Sequence, residues 1–468
     1  MHDCVALALI RWLAHHNDLE FSASRPHMPK TRIFRPFTKE TSMVPHLTTA
    51  LTGPILDLEQ RIIDAMPRIE HWFRTQWVEH APPIYGSVDL RNAGFKLAPV
   101  DMNLFPGGFN NLNPDFHPLC VQATQAALEK ACPDASNLLL IPENHTRNSF
   151  YLQNVAALRY ILQQAGLNVR LGSLSGEITQ PTSLALPDGK ELLLEPLRRE
   201  GNRVKLEGFD PCIVLLNNDL SAGIPGILDG IEQNLLPPLH AGWSTRKKTN
   251  HFSAYDQVAA EFAKLLDIDQ WLINPYFERC DQINFQERLG EQCLAEKVDS
   301  LLTRIRAKYQ EYGIQEQPYV IVKANSGTYG MGVMSVKDAS EVIGLNRKQR
   351  NKMSVIKEGQ EVHEVIVQEG VHTFESLQDA VAEPVVYMID RYVVGGFYRV
   401  HTGRGPDENL NAPGMHFEPL AFETACSLPD CGAEPDYLPN RFYAYGVVAR
   451  LALLAASLEI EQTTPQNN

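Results

Sequence analysis

The spacing of apolar positions divides the chain into short alternating elements. From Pro54, Ile55, Leu58, Ile62 and Met66 recur at helical spacing. Proline is tolerated in a first helical turn, so Pro54 suits the start, and Pro67 should break or kink the helix. A second short helix would carry Ile69, Trp72, Phe73 and Trp77. Val88–Arg91 and Lys96–Leu104 read as strands, the latter running into Phe105-Pro106-Gly107-Gly108-Phe109-Asn110-Asn111, with a helix over 115–131. Asn137–Ile141 has the unbroken apolar character of a strand covered on both faces. It leads through a polar loop, 142–148, into a helix with Tyr151, Val155, Leu158 and Leu162, closed by Gly166, and then into a strand at Val169–Leu171. That order is a βαβ unit. Cys212–Leu216 repeats the pattern and discharges Asn217-Asn218-Asp219 at its end. Ligands in such units gather beyond the carboxyl ends of the strands.

Downstream, 253–266 reads as a helix opened by Ser253-x-x-Asp256, and 288–312 as a longer one closed by Gly313. The apolar run Tyr319–Val322 ends in Lys323. A glycine-rich loop follows, with Ser326, Gly327, Tyr329, Gly330 and Gly332, and then the strand Val333–Val336. The lysine precedes the glycines and a strand follows them, which excludes a P-loop and a dinucleotide fingerprint. Two readings remain: a flap laid over phosphates, with glycines letting backbone N–H groups approach and Lys323 supplying a point charge, or an ordinary hairpin. Strands follow at 364–369 and 384–400, the latter a hairpin turning at Gly395-Gly396, and then a buried terminal helix.

The chain has 468 residues, 44% of them hydrophobic and 21% charged, which fits two or three globular domains. The fold class expected is α/β (α+β). Residues 1–42 read as a loose extension with Met43 a candidate start, 43–240 as a substrate-binding region, 241–315 as a helical connection and 316–468 as a nucleotide-binding region. A net charge of −14 argues against a nucleic-acid partner. Eight cysteines without a C-x-x-C pair point to reduced thiols in a cytoplasmic protein. Val447–Leu458 is short and carries Arg450, so it reads as a buried helix and not a membrane span.

Several polar clusters suggest chemistry. Gln368, Glu369 and Gly370 end a strand where backbone groups would read adenine and Glu369 would bind ribose hydroxyls; the alternative is an exposed strand end. Arg399 suits bridging a transferring phosphoryl group, and Asp390 suits Mg²⁺ through an oxygen, unless the two pair with each other or with solvent. Asn409 and Asn411 pack amide oxygens into a turn that is either open to metal or phosphate or a simple Asx-rich turn. Arg246 lies in the densest basic loop. Asp89, Arg91, Asp101, Asn103, Asn110 and Asn111 gather around two glycines, as a pocket or as turns with self-satisfied Asn. With Glu143, Asn144, Arg147, Asn217 and Asn218 from the strand ends, they offer the mixed partners an amino acid needs.

Lysine strand, glycine flap, hinge strand and a later Arg–Asn region, in that order, resemble the ATP-grasp architecture. The chain from about Met43 onward resembles a bacterial glutamate–cysteine ligase family of ATP-grasp-like type, through VDMNLFPGGFNNL at 100–112, IPENHTRNSFY at 141–151, LLNNDLSAGIPGIL at 215–228, GWSTRKKTNHF at 242–252 and VKANSGTYGMGV at 322–333. The resemblance implies a βαβ substrate domain and a two-lobed nucleotide region with a flap. It implies ATP-dependent joining of the glutamate γ-carboxylate to the cysteine amine through an acyl phosphate, the first step of glutathione synthesis, with Mg²⁺. Lys323 and Arg399 would be catalytic. Such enzymes usually end in a Glu-x-Asn metal pair, which the C-terminal stretch of this chain lacks, so Asp390, Asn409 and Asn411 are the candidate ligands. A ligase for another amino-acid pair and a non-catalytic nucleotide-binding protein are the alternatives.

Overall fold

The computed structural model describes residues 47–48, 53–145, 147–327, 332–354, 361–419 and 442–465. The expected extension at 1–42, the start at Met43, and Tyr329 and Gly330 of the flap lie outside these residues.

Helices α1 (Pro54–Asp64) and α2 (Met66–Glu79) are separated by Ala65 alone. Pro67 therefore opens a second helix at a position where its missing N–H costs nothing. Strands β1 (Tyr85–Asn92) and β2 (Leu97–Asn103) form a hairpin. After α3 (His117–Ala131), the βαβ unit is β3 (Asn137–Pro142), α4 (Ser149–Gln164) and β4 (Asn168–Ser173). Asn148 caps α4 by accepting from the Tyr151 N–H at 3.2 Å, and Gly166 turns out of it at φ 96°. Then come β5 (Thr182–Ala185), β6 (Glu191–Pro196), β7 (Ile213–Asn217) and β8 (Asn234–Leu236). These make a six-stranded sheet in the order β8-β7-β3-β4-β6-β5, parallel except for the β5–β6 pair.

Helix α5 (Lys248–Leu266) starts five residues before the expected Ser253 box. Asp256 instead accepts from Gln270 Nε2 at 2.9 Å and Asn274 Nδ2 at 2.7 Å. Strand β9 (Phe277–Cys280) and helix α6 (Glu291–Tyr312) precede β10 (Val320–Ala324), β11 (Val333–Val336) and β12 (Val365–Glu369). The four strands form an antiparallel sheet in the order β9-β12-β10-β11.

The final strands are β13 (Ala380–Ile389), β14 (Tyr392–His401) and β15 (His416–Pro419), followed by α7 (Phe442–Thr463). The β13–β14 hairpin turns at Asp390-Arg391, not at the glycines. Gly395 sits inside β14 at φ 139°, opposite Tyr387, where the register shifts by a bulge. β13 pairs with β1 as well as β14, so with the two-residue strands Leu47–Thr48 and Ser376–Leu377 at its edge, strands from both ends of the chain build one seven-stranded sheet.

Two faces of that sheet follow from period-2 alternation. Val88, Leu90, Met102, Val386 and Met388 point into a core shared with α1, α5 and α7. Helix α7 is long and apolar enough to cross a membrane but is buried along nearly its whole length inside the protein. Its Arg450 is accommodated by Glu70, at 2.7 and 2.9 Å, with the guanidinium 4.3 Å from the Phe73 ring centroid. On the opposite face Tyr85, Val385, Tyr387, Ile389 and Phe397 pack into a second core, and Asp89, Arg91, Glu383 and Arg399 form a polar stretch bordering a cavity.

Candidate active site

The cavity has a volume of about 640 Å³ and draws its walls from all three large sheets. From the seven-stranded sheet come Asp89 and Arg91 on β1, Asp101 and Asn103 on β2, Glu383 on β13 and Arg399 on β14. Asp89 stands opposite Asp101, and Glu383 opposite Arg399, so alternation alone puts these charges on one face. From the four-stranded sheet, Ile321, Lys323, Val333 and Gln368 line the cavity. Their neighbours Val320, Val322 and Val367 face the core under α6.

Arg399 is the hub. Its Nη1 donates to Asp89 Oδ2 at 2.9 Å and to Glu383 Oε1 at 2.5 Å. Burial would lower the guanidinium pKa, but the two carboxylates raise it. Glu383 also takes Arg91 Nε at 2.8 Å. Burial pushes the Glu383 carboxyl up, yet Arg91 and Arg399 together hold it below the usual range. Asp89 has only one of those guanidinium partners. Burial raises its pKa, and the like charge of Glu383 adds to that despite Arg399. Arg91, expected to meet substrate, spends its donors on Glu383, Tyr319 OH, Val371 O and Glu408 O, so it organises the wall from within.

Lys323 Nζ donates to Val100 O at 2.6 Å. Burial lowers its pKa to about 8, although Asp101 and Asp89 oppose that shift. Lys248, the first residue of α5, donates to both Asp101 oxygens at 2.9 and 3.1 Å and lies 4.3 Å from the Trp243 ring centroid. Burial alone would raise Asp101, but Lys248 and then Lys323 hold it at about 2.

Among the expected nucleotide contacts, Ser326, Gly327 and Gln368 line the cavity. Gln368 Nε2 is buried without a hydrogen-bond partner among the described residues, a donor suited to an acceptor on a bound base. Gly332, at φ 61°, closes the hairpin by accepting the Ala324 N–H at 3.0 Å. Glu369 lines the cavity as well, but the structure shows it bracing the wall from within. Its carboxylate is taken by Lys96 Nζ, Trp271 Nε1 and the Tyr276 N–H, each at 2.9 Å. Gly370 lies outside the lining, and its value is steric: a Cβ there would sit 2.2 Å from the Tyr319 ring.

The far end of the cavity is built by the loops after β3 and β7. Glu143, Asn217, Asn110 and Asn111 reach it as expected. Asn217 is consumed internally: it donates to Pro106 O at 2.9 Å and accepts from Asn154 Nδ2 at 3.0 Å, holding three segments together. Other expected residues are elsewhere. Asn144 and Arg147 are exposed outside the lining. Asn218 is buried and braces its own turn through the Leu220 N–H at 3.0 Å. Arg246 is buried against Glu459, with two bonds of 2.9 Å, and also donates to Met102 O. Asp390 occupies the β13–β14 turn, where Lys130 bonds both its oxygens at 2.9 and 2.7 Å, and it does not reach the cavity.

Sequence reasoning missed Glu383. Its one signal was a carboxylate in the otherwise apolar run Ala380–Ile389. Among the described residues no three acidic, His or Cys side chains cluster as a closed metal site. Mg²⁺ carried on phosphates needs only one or two carboxylates, and Asp89 and Glu383, converging on one Arg399 nitrogen, fit that requirement. Asn409 and Asn411 line the cavity beside them, with Asn409 Oδ1 accepting the Asn411 N–H at 2.9 Å.

A buried lysine and an arginine–carboxylate cluster facing one cavity define a site for handling anionic groups. The glutamate-cysteine ligase family model, GshA, matches residues 59–460, and the chain belongs to that family. It is 70% identical to a protein from Methylobacillus flagellatus KT whose crystal structure is described as that of a gamma-glutamylcysteine synthetase. The match covers 90% of this chain and 99% of that one, with a TM-score of 0.83. A D-alanyl-alanine synthetase A from Vibrio cholerae (13% identity, 60% of this chain and 73% of that one, TM-score 0.29) also matches. So does a glutathione synthetase-like effector from Globodera pallida (10% identity, 78% and 80%, TM-score 0.33). At those TM-scores the last two carry no argument about this fold. No curated protein matches the chain.

Proposed function

We propose that the protein joins the γ-carboxylate of glutamate to the amine of cysteine, using ATP and passing through a γ-glutamyl phosphate. The observation that carries this is the convergence of Lys323 and the Arg399–Asp89–Glu383 cluster on one cavity large enough for nucleotide and amino acids. The proposed architecture is ATP-grasp-like, with nucleotide between the four-stranded sheet and the polar stretch of the seven-stranded sheet, under the β10–β11 flap. In this reading 43–240 supply the substrate side, 241–315 connect, and 316–468 bind nucleotide, with strands of both outer parts sharing one sheet.

A carboxylate is a poor electrophile. Transfer of the ATP γ-phosphoryl to a γ-carboxylate oxygen forms a mixed anhydride and releases ADP. The cysteine nitrogen then attacks the carbonyl carbon, the C–O bond to phosphate breaks, and the amine gives up its proton. Lys323 binds the phosphate chain with its ammonium. Arg399, held flat between Asp89 and Glu383, faces the transferring group. Asp89 and Glu383 would be the residues that hold Mg²⁺, which when bound would supply Lewis-acid neutralisation of the phosphates. In this reading the enzyme works in the cytoplasm, which eight scattered cysteines without a C-x-x-C pair support. The test is phosphate release from ATP with glutamate or cysteine omitted in turn. Release should require both, and release indifferent to either overturns the reading.

A further inference from the structure

Helix α5 is capped from outside itself. Lys247, which precedes it, offers its first turn no side-chain hydrogen bond. The N–H groups that open a helix have no partner within it. Here they are met by Asn325, the residue just past β10, which is 1% exposed. Its carbonyl accepts the Lys248 N–H at 2.7 Å, and its Oδ1 accepts the Thr249 N–H at 3.0 Å. Its Nδ2 donates to Thr249 Oγ1 at 3.0 Å and to Glu364 Oε2 at 3.1 Å, and its own N–H donates to Glu364 O at 3.0 Å. Asn325 therefore ties the end of β10 to the start of α5 and to the residue before β12.

The junction lies at the base of two cavity lysines. Lys323 is two residues before Asn325, and Lys248 is the residue whose N–H Asn325 takes. Their ammoniums reach adjacent residues of β2, Lys323 to Val100 O at 2.6 Å and Lys248 to both Asp101 oxygens at 2.9 and 3.1 Å. Stability alone would be served by Ser, Thr or Asp in place of Lys247, the ordinary way to cap a helix. A cap supplied from the strand that carries Lys323 does more, because it makes the bases of both lysines one body. Resting on the nucleotide reading proposed above, we infer that Asn325 is a positioning residue for ATP binding, holding Lys323 and Lys248 at a fixed spacing on the cavity wall. Lys323 then trades Val100 O for a phosphate oxygen without β10 shifting against α5. The order is built in before the ligand arrives, so binding does not have to supply it.

Asn325→Ala cuts the side-chain links to Thr249 and Glu364. Calorimetry with Mg²⁺ and a non-hydrolysable ATP analogue should show the Kd raised about tenfold. With ATP saturating, the glutamate KM should stay within about twofold of wild type. Asn325→Asp keeps the oxygen for the Thr249 N–H but sets a second carboxylate against Glu364, and should weaken the analogue as well. Adding Glu364→Gln restores a donor–acceptor pair with its polarity reversed, and should return the Kd to within about threefold of wild type. A helix cap alone would move only stability. An Asn325→Ala protein with a lowered thermal midpoint but a wild-type Kd well below that midpoint overturns the inference. Failure of Glu364→Gln to restore the Asn325→Asp protein overturns it too, and that pair decides the matter if the alanine variant does not fold. If wild type itself does not bind the analogue, the nucleotide reading has failed and takes the inference with it. Wild-type binding with unmoved variants refutes the inference alone.

Discussion

Lys323 offers the sharpest test of how the cavity holds phosphate. Its ammonium is buried with one carbonyl partner, and its pKa falls from 10.5 to about 8. Only the protonated form attracts a triphosphate. At pH 7 about nine-tenths of the apo protein carries that proton, and at pH 9 about one-tenth does. The sign is therefore loss of ATP affinity as pH rises through 8. The apparent Kd should grow about tenfold between pH 7 and 9, equivalent to about 1.4 kcal/mol. Lys323→Arg keeps a permanent charge, so its profile should be flat over the same interval. Lys323→Ala should be flat as well, but weaker throughout. Calorimetric titration with Mg²⁺ and a non-hydrolysable ATP analogue reads all three proteins. A wild-type Kd unchanged between pH 7 and 9, or a tenfold rise that persists in Lys323→Arg, refutes the assignment of this lysine to the phosphates.

Glu369→Gln should act on stability, because it strips the counter-ion from Lys96, whose ammonium and partner carboxylate are each about 1% exposed. Breaking a buried pair costs about 3–5 kcal/mol, read by urea unfolding, whereas unchanged stability with lost ATP binding would restore a ribose role. Gly370→Ala should force a methyl into the Tyr319 ring, 2.2 to 2.5 Å away, and loosen the Tyr319–Arg91 contact. A loss of about 1–3 kcal/mol in thermal unfolding is expected, and an unchanged midpoint refutes the clash.

Local patterns carried much of the architecture. The apolar run at Asn137–Ile141, the helix behind it and the lysine strand with its following strand are all set by nearest neighbours in sequence, and each forms where expected. What was hidden depends on distant partners. Arg246 looks like an exposed basic-loop residue until α7 supplies Glu459. Glu369 looks available until β2's approach supplies Lys96. The Glu383–Arg399 pairing depends on a turn at Asp390 and a bulge at Tyr387, and the paired glycines pointed to a different turn. Asp390 itself adopts φ 50°, a turn conformation that its place in an apolar run concealed.

The sheet that joins β1 to β13 also governs when this enzyme can come into being. Asp89 and Arg399 are 310 positions apart, so a ribosome must release most of the polypeptide before the first can meet the second. Until then the β1–β2 hairpin waits with an open edge, which nascent chains guard poorly. A chain cut between them before folding would leave each fragment with only part of the active centre.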